Sequence, residues 1–273
     1  MKSKLRIPKR VLRILISTIC LPLTVFAQII PVKTIPLSTG DQFLLFPSKN
    51  LGMGGVSIAL DDPYLDPFIN PGKGIRIRGA MLFVSPTYYT ISGNNGSART
   101  LPLGAVFQSG GYFGGSYLSL QQLDAANAGD FQPLLSRKSS GNIYAFGFLG
   151  TRLPNSDVSV GGSFTYARLN AIDGVDQMYP RSSKIEPDGS MIDCRIGLLS
   201  ERNGRAFEAL LLHNRFSMTH DVSYWNGFWE LDDFGPALPQ TERNFDRSST
   251  WGLHFGYVRP LSQTGWKIGG ILT

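Results

Sequence analysis

Three histidines, His213, His220 and His254, are the side chains of this chain best suited to proton transfer or metal ligation. A serine hydrolase of a membrane surface would need one of them beside a serine, with a polar third residue to hold the ring. His213 shares strand parity with Phe207, Ala209 and Leu211 and has Asn214 beside it, but serine is too common here to single out a nucleophile. The expected reading is no enzyme and no catalytic residue, with the histidines at an interface or in an interior. No metal site is expected, because His213 and His220 have opposite parity and the sequence predicts a loop beginning between them. The glycines of 52–55 invite a phosphate-cradle reading, yet neither G-x-G-x-x-G nor a G-K-[ST] ending is present. No cofactor is expected.

The formal net charge of +6 has a local origin. Six of the 26 basic residues, from Lys2 to Arg13, lie within 1–27, which contains no acid, so the remainder carries 20 basic against 20 acidic residues. Basicity therefore gives no argument for nucleic acid. The basic stretch precedes an apolar run from Ile14 to Phe26, with Val25 and Ala27 at the positions a signal peptidase reads. Residues 1–27 are expected to be a cleavable signal peptide. Cys194 is then the single remaining cysteine, which excludes an internal disulfide and a zinc motif.

The elements that must position everything else read as strands. Val158, Val160, Phe164 and Tyr166 share one face of 157–169, with Ser159, Ser163 and Thr165 on the other. The same alternation runs through 190–200, 249–259 and 264–272. Segments 78–91, 100–108, 112–122, 141–152 and 204–218 are strand-like with less regular alternation. Connections alternate long and short: the loop 92–97 is followed by a tight turn at 109–111, the loop 123–140 by 154–156, the loop 170–189 by 201–204, and the loop 219–248 by 261–263. A transmembrane antiparallel up-and-down β-barrel has this rhythm, with tight turns on the periplasmic side and longer loops outside. The strand 78–91 is then expected to run outward, and 264–272, the ninth, also. An odd count and the lack of a terminal aromatic predict a chain truncated within its barrel.

The predicted loop 219–248 carries Tyr224, Trp225, Phe228 and Trp229 among acids including Glu230, Asp232 and Asp233. These aromatics are candidates for a capture or partner surface, or for the aromatic girdle at a lipid–water boundary. Asn95-Gly96-Ser97 reads first as a turn, though it matches a glycosylation acceptor.

Leu51-Gly52-Met53-Gly54-Gly55, then Ala59-Leu60-Asp61-Asp62-Pro63, then Asn70-Pro71 resembles the N-terminal signature of FadL-type outer-membrane proteins. That family includes long-chain fatty-acid transporters and the PorV-like proteins of Bacteroidetes type IX secretion. The likeness spans about residues 48–74, with Gly72-Lys73-Gly74 standing where the family pattern has A-G-L. It implies a fourteen-stranded barrel with residues 28–77 as a luminal plug and 78–273 as an incomplete barrel. Gly52, Gly54, Gly55, Asp61, Asp62, Asn70 and Pro71 are the implied plug residues. The expected function is passive passage of hydrophobic or amphipathic solutes in the Gram-negative outer membrane, with plug movement around Gly52–Gly55 and Asn70-Pro71 opening the path. The alternative is a non-transporting anchor or adaptor in a type IX-like secretion system. Expected partners are outer-membrane lipid, hydrophobic small molecules and secretion proteins.

Overall fold

The structure, a computed structural model, describes residues 62–90, 97–124, 139–170, 179, 182–225, 239–261 and 267–272. It is all-β. Ten strands form one antiparallel up-and-down sheet that does not close. They are β1 (Ala80–Val84), β2 (Thr87–Thr90), β3 (Ser97–Ser109), β4 (Tyr112–Asp124), β5 (Ser139–Arg152), β6 (Val158–Leu169), β7 (Ser182–Arg202), β8 (Arg205–Trp225), β9 (Pro239–Pro260) and β10 (Lys267–Leu272). Each of β3–β10 pairs with its sequence neighbour, while β1 and β2 both pair with β3. No helix of the described residues is long and apolar enough to cross a membrane.

The single first strand expected over 78–91 is divided at Ser85-Pro86. Ala80 faces Phe107 and Thr87 faces Thr100, so pairing resumes in the same register after the break, and Ser85 N donates to Pro102 O across it at 3.1 Å. Pro86 has no amide to give, which is why the ladder lapses there. The nine predicted strand positions are thus occupied by ten strands.

The tight turns at 109–111, 154–156 and 201–204 fall where expected; most of the one expected at 261–263 lies outside the described residues. Asn203 and Gly204 both have positive φ (54° and 75°), as do Gly110 and Gly111, the backbone that a two-residue turn needs to match strand twist. The long connections are shorter than expected. The predicted loop 170–189 yields to β7 from Ser182. The predicted loop 219–248 yields to β8 as far as Trp225 and to β9 from Pro239. Strands β7–β9 run 21 or 22 residues, against 12–14 for β3–β6.

The two faces differ. On one face Leu82, Leu149, Phe164, Ile196, Leu211, Trp251, Leu253 and Phe255 are exposed, Leu82 at 85% and Trp251 at 69%. On the other, Val106, Phe113, Tyr117, Phe146, Phe148, Leu199 and Leu210 are buried with Thr165, Asp193 and Glu208. The apolar outer band spans Val158–Tyr166 on β6, Ile192–Leu198 on β7, Phe207–Leu211 on β8 and Trp251–Tyr257 on β9. Beyond it the same face of β8 and β9 is mostly polar, presenting Arg215, Ser217, Thr219 and Asp221, then Arg243, Arg247 and Ser249, with Phe245 exposed among them under Arg247. Residues 62–77 cover the inner face as a helical turn (Asp66–Ile69) and a 3-10 turn (Pro71–Arg76) lying against β4–β7.

Candidate functional site

The polar groups of the inner face converge on residues 62–77. Asp62 begins the segment as an Asx turn: its Oδ1 accepts from Tyr64 N at 3.1 Å and Leu65 N at 3.4 Å. Asn70 ends the helical turn with an extended backbone, and its Oδ1 accepts from Gly72 N at 3.0 Å. A turn this short leaves most of its carbonyls unpaired. Arg195 of β7 satisfies those of Phe68 and Ile69 at 2.9 and 3.2 Å. Its guanidinium is held by Asp193 at 2.6 Å and lies 5.3 Å from the centre of the Phe68 ring.

Three groups anchor the second turn. Lys73 Nζ lies 2.9 Å from Glu208 Oε2, both side chains almost fully buried. Asn70 Nδ2 donates to the same carboxylate oxygen and to Leu198 O, each at 3.3 Å. Ser159 Oγ donates to Gly72 O at 2.9 Å. Outside this trio, Arg76 bridges Asp66 at 2.9 Å and Glu201 at 2.6 Å. Burial pushes the Asp66 carboxyl up to about 6, outweighing the Lys73 and Arg76 charges that pull it down.

Backbone contact is made possible by two glycines in the wall. A Cβ on Gly197 would overlap the Asn70 amide, and one on Gly161 would come within 2.7 Å of Pro71 O. Asn70-Pro71-Gly72 therefore lies directly on the backbones of β6 and β7. Beside it an aromatic cluster fills the inner face: Phe68 packs on Phe146 at 5.0 Å, Phe146 on Tyr117 at 5.3 Å, and Tyr117 on Phe83 at 4.9 Å between ring centres. Tyr117 also donates its hydroxyl to Tyr64 O at 3.1 Å.

Of the motif residues singled out from sequence, Asp62, Asn70 and Pro71 are buried and belong to this anchored segment. Gly52, Gly54, Gly55 and Asp61 lie outside the described residues, as does the signal segment 1–27. Tyr224 and Trp225 stand at the end of β8 instead of in a loop, and Phe228 and Trp229 lie outside the described residues. Sequence reasoning missed Lys73, Arg76, Asp193, Arg195 and Glu208. One signal was available: Lys73 is the charged residue at the place where the family pattern departs.

The histidines are dispersed. No loop separates His213 from His220; both are on β8, on opposite faces. His220 is buried with its ring 5.8 Å from that of Tyr179, and His254 is half-buried on the inner face of β9. His213 faces outward, with Nε2 3.1 Å from Ser249 Oγ and its ring 4.4 Å from that of Trp251. A serine and a histidine do meet here, but no carboxylate or amide among the described residues orients the ring. Among the described residues no cluster of three His, Cys, Asp or Glu could hold a metal ion.

No family model matches the chain, and neither a curated protein nor a solved structure matches it.

Proposed function

We propose that the protein is a Gram-negative outer-membrane β-barrel whose segment 62–77 is an internal plug, and that it passes hydrophobic or amphipathic solutes. The observation that carries the membrane reading is the exposed apolar band. A soluble sheet leaves no continuous apolar face open, whereas here one apolar face is exposed while the opposite face, aromatic and ionic together, packs under residues 62–77. An open edge is untenable in lipid, where every backbone amide needs a partner. In this reading the free edges of β1 and β10 do not stay unpaired in the membrane, and the FadL-type resemblance implies fourteen strands.

The aromatic lining of Phe83, Tyr117, Phe146 and Phe148 supports an apolar solute over a hydrophilic one. In this reading the chain does no covalent chemistry. Aromatic contacts hold the solute, and a path opens only where the plug is free to leave the wall. Asn70-Pro71 is not such a place, since Glu208, Leu198 and Gly197 grip it. Opening at this segment ruptures the Lys73–Glu208 pair.

The firm grip on 62–77 and the polar continuation of β7–β9 favour a second reading, a plugged barrel that anchors or adapts secretion proteins. Uptake of a long-chain fatty acid into liposomes containing the full-length protein separates the two. Uptake above that of empty liposomes is expected; no increase would leave the adaptor.

A further inference from the structure

The outer face carries a feature that neither reading requires. Gly147 on β5 and Gly162 on β6 point outward, and a Cβ on either would meet nothing closer than 3.9 or 3.8 Å. They differ in this from Gly161 and Gly197, whose hydrogens are needed to seat the plug. The missing side chains leave a trough of about 730 Å³ in the apolar band, walled by Leu149, Phe164, Ile196, Leu211 and Trp251. Those walls are exposed, so nothing among the described residues fills the trough.

Chemistry changes abruptly at one end. Trp251 pairs with His213, and the next outward residue on β8 is Arg215, opposite Ser249; the next outward pair is Ser217 with Arg247. Arg215 and Arg247 are exposed and make no ion pair among the described residues. The acids nearby are already engaged: Asp221 by Arg243 at 2.7 Å and Asp188 by Arg168 at 3.8 Å. The two cations lie on the side toward which β8 leaves its two-residue turn, the side of the long connections.

Resting on the barrel reading, we propose that this trough binds a phosphorylated glycolipid of the outer leaflet. An acyl chain lies over Gly147 and Gly162, the His213–Ser249 pair meets the ester level, and Arg215 and Arg247 take phosphate. Two cations one diagonal step apart on neighbouring strands suit a headgroup with more than one negative charge, and guanidinium is the group best shaped for phosphate.

The test adds lipid A to the full-length protein, refolded in lipid-free detergent, and follows retention by native mass spectrometry. Dephosphorylated lipid A and phosphatidylglycerol are run alongside. Lipid A should be retained over both, and Arg215→Ala with Arg247→Ala should weaken retention at least about tenfold. Gly147→Leu or Gly162→Leu should abolish it, because the leucine fills the trough. Equal retention of the comparison lipids, or indifference to these variants, would overturn the proposal. So would a dimer that Gly162→Leu dissolves, or recovery of lipid A lacking an acyl chain, which would mark Ser249 as a nucleophile. Heat-modifiable gel mobility, scored on the same samples, keeps the two levels apart: its loss in the parent protein sinks the barrel, its survival without lipid retention sinks only the lipid site.

Discussion

Lys73 and Glu208 are 135 positions apart in sequence yet meet at 2.9 Å in the interior, with Asn70 sharing the same carboxylate oxygen. A buried pair is weak evidence of net stability, but removing one partner strands the other as an uncompensated charge. Lys73→Met or Glu208→Leu alone is expected to loosen the segment by about 3–5 kcal/mol. The double substitution should be much milder than the sum. Limited proteolysis between Asp62 and Ile77, followed with denaturant, measures both.

The wall glycines give a second, purely steric expectation. Gly197→Ala drives a methyl into the Asn70 amide, and Gly161→Ala drives one against Pro71 O. Overpacking of this kind costs about 1–3 kcal/mol. Gly162→Ala, one residue from Gly161 but on the open face, should be neutral. Thermal unfolding of the three variants makes the comparison, and equal effects would disprove the contact.

Acidity should tighten the segment 62–77. The folded Asp66 carboxyl titrates at about 6 against 3.8 unfolded, so the folded state holds an extra proton between those values. Stability therefore falls as pH rises from about 4 to 6 and is level above, by about 3 kcal/mol for this group. Asp66→Asn should flatten that part of the profile when protease resistance of the segment is followed from pH 4 to 7.

Cys194 reports on the medium outside. It lies on the exposed face between Ile192 and Ile196. In protein folded into vesicles it should react with a lipid-soluble maleimide and resist a water-soluble one. Labelling by the water-soluble reagent at a rate typical of an exposed thiol would place this face in water.

Where the sequence could be read depended on what each face meets. The alternation of Val158, Val160, Phe164 and Tyr166 was legible because one face is apolar and exposed while the other holds Ser159 and Thr165. On β4 and β5 it blurred, since Phe113, Tyr117, Phe146 and Phe148 make the inner face apolar too, under the Phe68 turn. Residues 182–189, 219–225 and 239–248 read as loop because beyond the apolar band the outward side chains are mostly polar and only β8 keeps a buried apolar residue there, Val222, beside His220; the ladder continues on backbone hydrogen bonds that leave no clear period in the side chains. The ion pairs were invisible for another reason. Nothing in a linear pattern places Lys73 beside Glu208, although a lysine between two glycines in an otherwise apolar motif marked the spot.

The unequal strand lengths have a mechanical consequence. At about 3.3 Å per residue, β7–β9 extend for roughly 70 Å and β3–β6 for little more than 40 Å. Closed into the proposed barrel, these strands would give an oblique mouth, tall on one flank and low on the other. In that proposal, molecules arriving from outside would meet the tall flank first, and access to the opening would come sideways, over the low one.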